Sequence, residues 1–197
     1  MNRSVADRWQ TAFQVALRRP ELAQSLRMAA TEMKLADWTT HLTTAVVRSC
    51  EALGWRPAGK GHRGRALPVS RQEYLAIDVT AFSSTTTGGV RWPLPKAVFE
   101  LENQQRGESV SYSLWKVLCV RAELRVVFAY RQERHEGPSL IAMLADQVIA
   151  SLTIDQRMAT TGETLVVVGH RGGADTFPYG YFDTWRLEVN PGRFAMV

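Results

Sequence analysis

Over residues 5–53 apolar positions return at helical spacing. Trp9, Phe13 and Leu17 recur every fourth residue, and Leu22, Leu26 and Met33 carry the stripe beyond the break at Pro20. Asp37 is placed to cap a third helix that carries Leu42, Val46, Cys50 and Leu53, with Gly54 in the position of a C-terminal cap. A glycine-rich basic loop, residues 55–65, ends this part. The period then changes. Residues 73–82 (EYLAIDVTAF) and 96–102 (KAVFELE) read as strands, joined through the turn chemistry of SSTTTGG at 83–89. A short strand at residues 65–70 is confined by Pro68 to an edge. Residues 111–122 have helical spacing, with Leu114, Val117, Leu118 and Arg121 along one side. A strand at 124–130, a helix at 139–152 opening after Pro138, a strand at 164–169 and an edge strand at 181–189 complete the chain.

Strands alternating with crossover helices predict an α/β fold with a mixed central sheet flanked by helices. Residues 1–35 read as an N-terminal helical extension packed on a core of residues 36–197, and as the segment through which a homodimer would form. With 197 residues, 45% of them hydrophobic, the chain can bury a core without disulfides or a structural metal. Cys50 and Cys119 lie in apolar runs and read as free buried thiols. The N-terminus lacks the apolar core of a signal peptide, and no apolar stretch reaches membrane-span length, so the expectation is a cytoplasmic protein with no membrane partner.

Charge narrows the partner class. The formal balance is +5, and 20 of the 24 basic residues are arginine, a bias that favours anionic partners such as nucleic acid. Arg56, Lys60, Arg63 and Arg65 crowd into the loop after the third helix, next to Trp55, as candidate contacts to a nucleic-acid backbone. The same stretch, Gly54 to Gly61, matches a phosphate-binding GxxxxGK loop. However, Gly61 replaces the hydroxyl residue and the segment follows a helix instead of a strand, which excludes that motif. His41, His62, His135 and His170 lack zinc-ligand spacing. The six tryptophans are expected in the core, apart from Trp92 in the RWPLP turn.

The acids inside strands carry the chemistry. Asp78 interrupts LAIDVTAF, and Glu100 and Glu102 sit two residues apart in KAVFELEN, on one face of a strand. If the two strands pair, three carboxylates converge, and such a group repels itself unless a cation occupies it. Hard oxygen ligands favour Mg²⁺ or Mn²⁺.

In these residues the chain resembles the PD-(D/E)XK nuclease superfamily, over roughly residues 38–130. That family's core runs helix, three strands, helix, strand, with an aspartate on the second strand and Glu-x-Lys on the third. Asp78 matches the aspartate and Glu100-Leu101-Glu102 the third-strand element, after the apolar pair Val98-Phe99; Glu102 stands where the family has lysine. In some members the lysine has moved to the following helix, where Lys116 lies here. The resemblance implies a restriction-endonuclease-like fold and metal-dependent hydrolysis of phosphodiester bonds, with DNA as the first substrate. Asp78, Glu100 and the Leu101 carbonyl would be ligands, Glu51 at the end of the first core helix would complete the metal site, Glu102 would ligate or orient water, and Lys116 would offset transition-state charge. The alternatives are a non-catalytic nucleic-acid- or protein-binding module on the same scaffold, for which the missing Glu-x-Lys speaks, and an unrelated α/β protein that binds a small ligand at its strand ends.

Overall fold

A computed structural model of the chain describes residues 3–64, 66–69, 71–84, 92–104 and 106–197. The amphipathic N-terminal stretch forms three helices, α1 (Val5–Leu17), α2 (Pro20–Thr31) and α3 (Leu35–Ala52). Ser4 caps α1 by accepting from the Asp7 amide, and Pro20 opens α2, where its missing N–H removes no intrahelical bond. Helix α3 begins at Leu35, so Asp37 is not its cap but lies in the first turn, where its charge suits the helix dipole. Gly54 follows α3 at φ 71° and stops it.

Seven strands form one sheet in chain order: β1 (Trp55–Gly59), β2 (Val79–Ser83), β3 (Ala97–Leu101), β4 (Leu124–Arg131), β5 (Glu163–His170), β6 (Phe182–Glu188) and β7 (Arg193–Met196). Helix α4 (Gly107–Leu118) joins β3 to β4. Helix α5 (Gly137–Leu144), prolonged by a π-helical stretch Ala145–Ile149, and α6 (Ile154–Ala159) join β4 to β5. The strands linked by these helical crossovers run parallel and the other neighbours run antiparallel. The result is a mixed sheet with helices on both faces and an N-terminal helical region.

Several details depart from the expectations. Residues 55–59 are a strand and not a loop: β1 is an edge strand, and Pro57 is tolerated there because one side of the strand has no neighbour to receive an N–H. The chain then folds back through a tight turn that bridges Gly59 to His62, which confirms that no phosphate-binding loop opens a helix here. Residues 66–69 form bends, not a strand, while Arg65 and Ser70 lie outside the described residues, as do residues 85–91, which hold all but the first two positions of the SSTTTGG connection. The strand expected over 73–82 begins only at Val79. At the C-terminal end β7 is the edge and covers β6. Cys50 is buried as expected, but Cys119, the residue just after α4, is exposed.

Strand residues alternate between two cores. Val126, Phe128 and Tyr130 join α1, α2 and α3 on one face, whereas Val127 and Ala129 join α4 and α5 on the other. On the first face Trp9 stacks on Phe13 with ring centroids 5.1 Å apart and meets Phe99 at 5.3 Å. Its indole N–H donates to Ser49 Oγ at 3.0 Å, so the ring is buried without an orphaned donor. The Ala6 amide donates to Glu163 Oε2 at 2.9 Å, and Arg186 pairs with Asp7, which ties α1 to β5 and β6. The apolar sides of α1 and α2 are therefore used inside the molecule. No described helix is long and apolar enough to cross a membrane.

Trp9 is fully buried, so Trp9→Ala should cost about 3–5 kcal/mol. Urea unfolding measures it; a loss below about 1 kcal/mol would mean that α1 does not belong to the cooperative unit.

Candidate active site

The site starts with a strained turn. Tyr74 and Ile77 bridge across Leu75 and Ala76, whose φ values of 60° and 53° lie in the left-handed region that side chains other than glycine adopt at a cost of about 1–2 kcal/mol each. Ile77 anchors this turn in the α4-side core, and Asp78 follows it directly before β2. Pairing of Val79 with Phe99 in β3 then carries on to set Asp78 opposite Glu100. On the other side, pairing of Gly59 with Val79 brings Lys60, at the turn after β1, next to Asp78. The Leu101 amide donates to Asp78 Oδ2 at 2.7 Å and fixes one of its oxygens.

Glu100 belongs to the sheet face covered by α4, since its strand neighbour Val98 packs with Val110, Leu114 and Val117 of that helix. Lys116 lies at the edge of the same helix. Its ammonium is 2.8 Å from Glu100 Oε2 and donates to the Ala76 carbonyl at 2.8 Å, so one side chain bridges the strained turn and the buried carboxylate. Ser113 Oγ is 3.5 Å from the same Glu100 oxygen. The second oxygen, Oε1, is buried and makes no hydrogen bond of normal geometry, while the Asp78 backbone amide lies near enough to the carboxyl group to favour its charged form.

These surroundings set the charges. Burial pushes the Glu100 carboxyl up to about 7; the hydrogen bond from Lys116 opposes this and the charge of Asp78 adds to it. Burial also raises Asp78, against the pull of the Leu101 amide and of the Lys116 and Lys60 ammonium groups. Two carboxyl groups thus share a partly dry site in which burial works against their charged forms, and Glu100 Oε1 makes no hydrogen bond. Both observations fit a small divalent cation bound by hard oxygen donors.

The other acids stay apart. Glu102, past the end of β3, bends onto its own chain, and its Oε1 accepts from the Gln104 amide at 2.7 Å. Glu51 is exposed near the end of α3, a helix that packs on the opposite face of the sheet. Among the described residues no three His, Cys, Asp or Glu side chains are grouped to hold a metal ion, so the expected convergence of Asp78, Glu100, Glu102 and Glu51 reduces to Asp78 and Glu100. Of the basic candidates, Lys60 is exposed but near enough to Asp78 to favour its charged form, Arg56 lies within β1 and donates to the Ser83 carbonyl at 3.2 Å, Arg63 is exposed, and Arg65 lies outside the described residues.

Sequence reading missed three features. Lys60 becomes part of the site only once residues 55–59 are recognised as a strand, because the register of β1 delivers it. Trp115 is 50% exposed on α4 beside Tyr112, at 59%, although tryptophans other than Trp92 were expected inside. The third feature lies farther along the sheet: buried His170 Nε2 is 2.9 Å from Asp183 Oδ2, which also accepts from Arg134 Nε at 2.8 Å. No residue spacing announces that last group, since it is assembled from β5, β6 and the segment that follows β4.

Comparison of the chain with protein-family models, with curated proteins and with solved structures gives no significant match.

The sign of the Glu100 shift gives a test. Folded Glu100 keeps its proton up to about pH 7, whereas an unfolded glutamate loses it near 4.5. The folded state therefore binds more protons in that window, and this group's contribution to stability, full at lower pH, is lost as pH rises through about 7. Glu100→Gln abolishes the loss. Measured by calorimetry without divalent ions, the melting temperature of the variant should climb relative to the parent between about pH 5 and 8, by roughly 2–4 °C for each kcal/mol released. A difference that stays flat with pH would show that Glu100 is not held protonated by its surroundings.

Proposed function

We propose that the protein is a metal-dependent nuclease that hydrolyses phosphodiester bonds of nucleic acid, with DNA as the first substrate, and that it acts in the cytoplasm. The observation that carries this reading is the opposition of Asp78 and Glu100 across β2 and β3 with the Lys116 ammonium 2.8 Å from Glu100. Two further features support it. The order α3, β1, β2, β3, α4, β4 is the helix, three strands, helix, strand order of the PD-(D/E)XK resemblance. The lysine absent from the third strand is supplied by the following helix, at the carboxylate where the reading needs it.

Asp78 and Glu100 would hold Mg²⁺ or Mn²⁺, and Glu100 Oε1, which makes no hydrogen bond, would be available as a donor oxygen. Bound there, such an ion lowers the pKa of water and polarises a phosphate. The chain's own groups do the rest. The Leu101 amide keeps Asp78 oriented by occupying one of its oxygens. Lys116, which the Ala76 carbonyl holds in place, supplies a positive charge for the phosphoryl oxygens as negative charge develops on them. Lys60 adds a second positive group at the rim for the substrate backbone. Glu102 and Glu51 have no part in this arrangement. Homodimerisation through residues 1–35 would have to use the outward sides of α1 and α2.

Labelled DNA and RNA incubated with Mg²⁺ or Mn²⁺ should be cut by the parent protein. Asp78→Ala and Glu100→Ala should each lower the rate by at least about 100-fold, and Lys116→Met by about 10²–10³-fold, the usual effect of deleting one group that stabilises transition-state charge. Equal cleavage by parent and Asp78→Ala would remove the reading. DNA bound by the parent but left uncut with both ions would identify the non-catalytic module instead.

A further inference from the structure

Helix α4 presents an aromatic pair to solvent beside the candidate site. Val110, Ser113, Leu114 and Val117 face the core, which leaves Tyr112, Trp115, Lys116 and Cys119 on the outer side and edge of the helix. The Tyr112 and Trp115 rings lie 5.9 Å apart at 32° and are 59% and 50% exposed. The Lys116 ammonium that meets Glu100 is 5.9 Å from the centre of the Tyr112 ring, so the pair adjoins the site directly. On its far side Trp115 borders a groove between α4 and α6 that also contains the exposed Arg121.

Large aromatic rings left in water beside cations need a partner that brings both a flat apolar face and negative charge. A peptide strand offers the first only through its side chains, and a duplex keeps its base faces internal. An unpaired nucleotide carries both in one unit: the base stacks on the ring and the phosphate meets Lys116 or Arg121. We infer that Tyr112 and Trp115 form a stacking platform for unpaired bases, and that the substrate entering the Asp78–Glu100 site is single-stranded nucleic acid or a frayed end. The substrate class rests on the nuclease reading above; the platform itself does not.

Binding without cleavage separates the two. Fluorescence anisotropy of a labelled oligothymidylate and of a duplex of equal length is measured in EDTA at fixed salt for the parent, Tyr112→Ala and Trp115→Ala. Circular dichroism checks that the exposed-site variants remain folded. The parent should bind the single strand more tightly than the duplex. Tyr112→Ala and Trp115→Ala should each weaken single-strand binding about 10-fold, within the range found for loss of one stacked base. A parent that binds neither ligand, equal affinity for single strand and duplex, or unchanged binding by both aromatic variants would overturn the platform and leave the cleavage assay to decide the nuclease reading. Weakened binding by these variants with no cleavage by the parent would uphold the platform and remove the nuclease.

Discussion

Strands β3 and β4 run parallel, and parallel neighbours cannot be joined by a hairpin. The chain must leave the end of β3, cross one face of the sheet and return to the start of β4. Helix α4 makes that crossing, and much of the molecule is arranged around it. Its apolar side covers Val98 and Val127, which removes one face of the sheet from water. The same placement encloses Glu100 and brings Lys116 against it. Remove the crossover and the acid at position 100 would sit on an open strand as an ordinary solvated carboxylate. The unusual charge state of the site is thus a product of topology before it is a product of any particular neighbour.

The antiparallel side of the sheet contributes the other half. β1, β2 and β3 line up Lys60, Asp78 and Glu100 across three successive strands, and the turn at Leu75 and Ala76 bends sharply to bring Asp78 into that row. A turn with two left-handed central residues normally favours asparagine or glycine. Leucine and alanine hold the conformation here with help from outside the turn, because Ile77 is sunk in the core and Lys116 grips the Ala76 carbonyl. Local strain, a buried acid and an incompletely satisfied carboxylate oxygen meet within a few residues. Such features persist where the surrounding fold enforces them, and they concentrate at sites that do chemistry.

Much of this was legible in the amino-acid order. The helical period of residues 5–53, the acids at 78 and 100 and the lysine at 116 could all be read directly, because each is a local signal: a period, or a charged residue in an apolar run. What escaped depends on neighbours distant in sequence. Residues 55–59 look like a loop since Pro57, Gly59 and the preceding Gly54 dominate the local preference, and only the empty side of an edge strand makes that composition acceptable. Glu102 was placed with Glu100 by strand alternation, but the chain leaves β3 at Leu101 and its carboxylate turns to a nearby amide. Trp115 reads as core by residue type, and only the orientation of α4, set by Leu114 and Val117, turns it outward.

The docking of α1 has a consequence for how the chain is made. Its first turn is fastened to Glu163 and Arg186, more than 150 residues downstream. During synthesis α1 and α2 emerge first and can meet α3 early, but the aromatic face of α1 lacks Phe99 and Phe128 until β3 and β4 follow, and its first turn lacks Glu163 and Arg186 until β5 and β6 have left the ribosome. Parallel strands joined through helices, with their high contact order, lengthen the interval. The nascent N-terminal half is therefore the stage at which this protein is most open to aggregation or to a chaperone. Loss of its last two strands would remove the Arg186 contact and leave Trp9 and Phe13 short of the surface that normally encloses them.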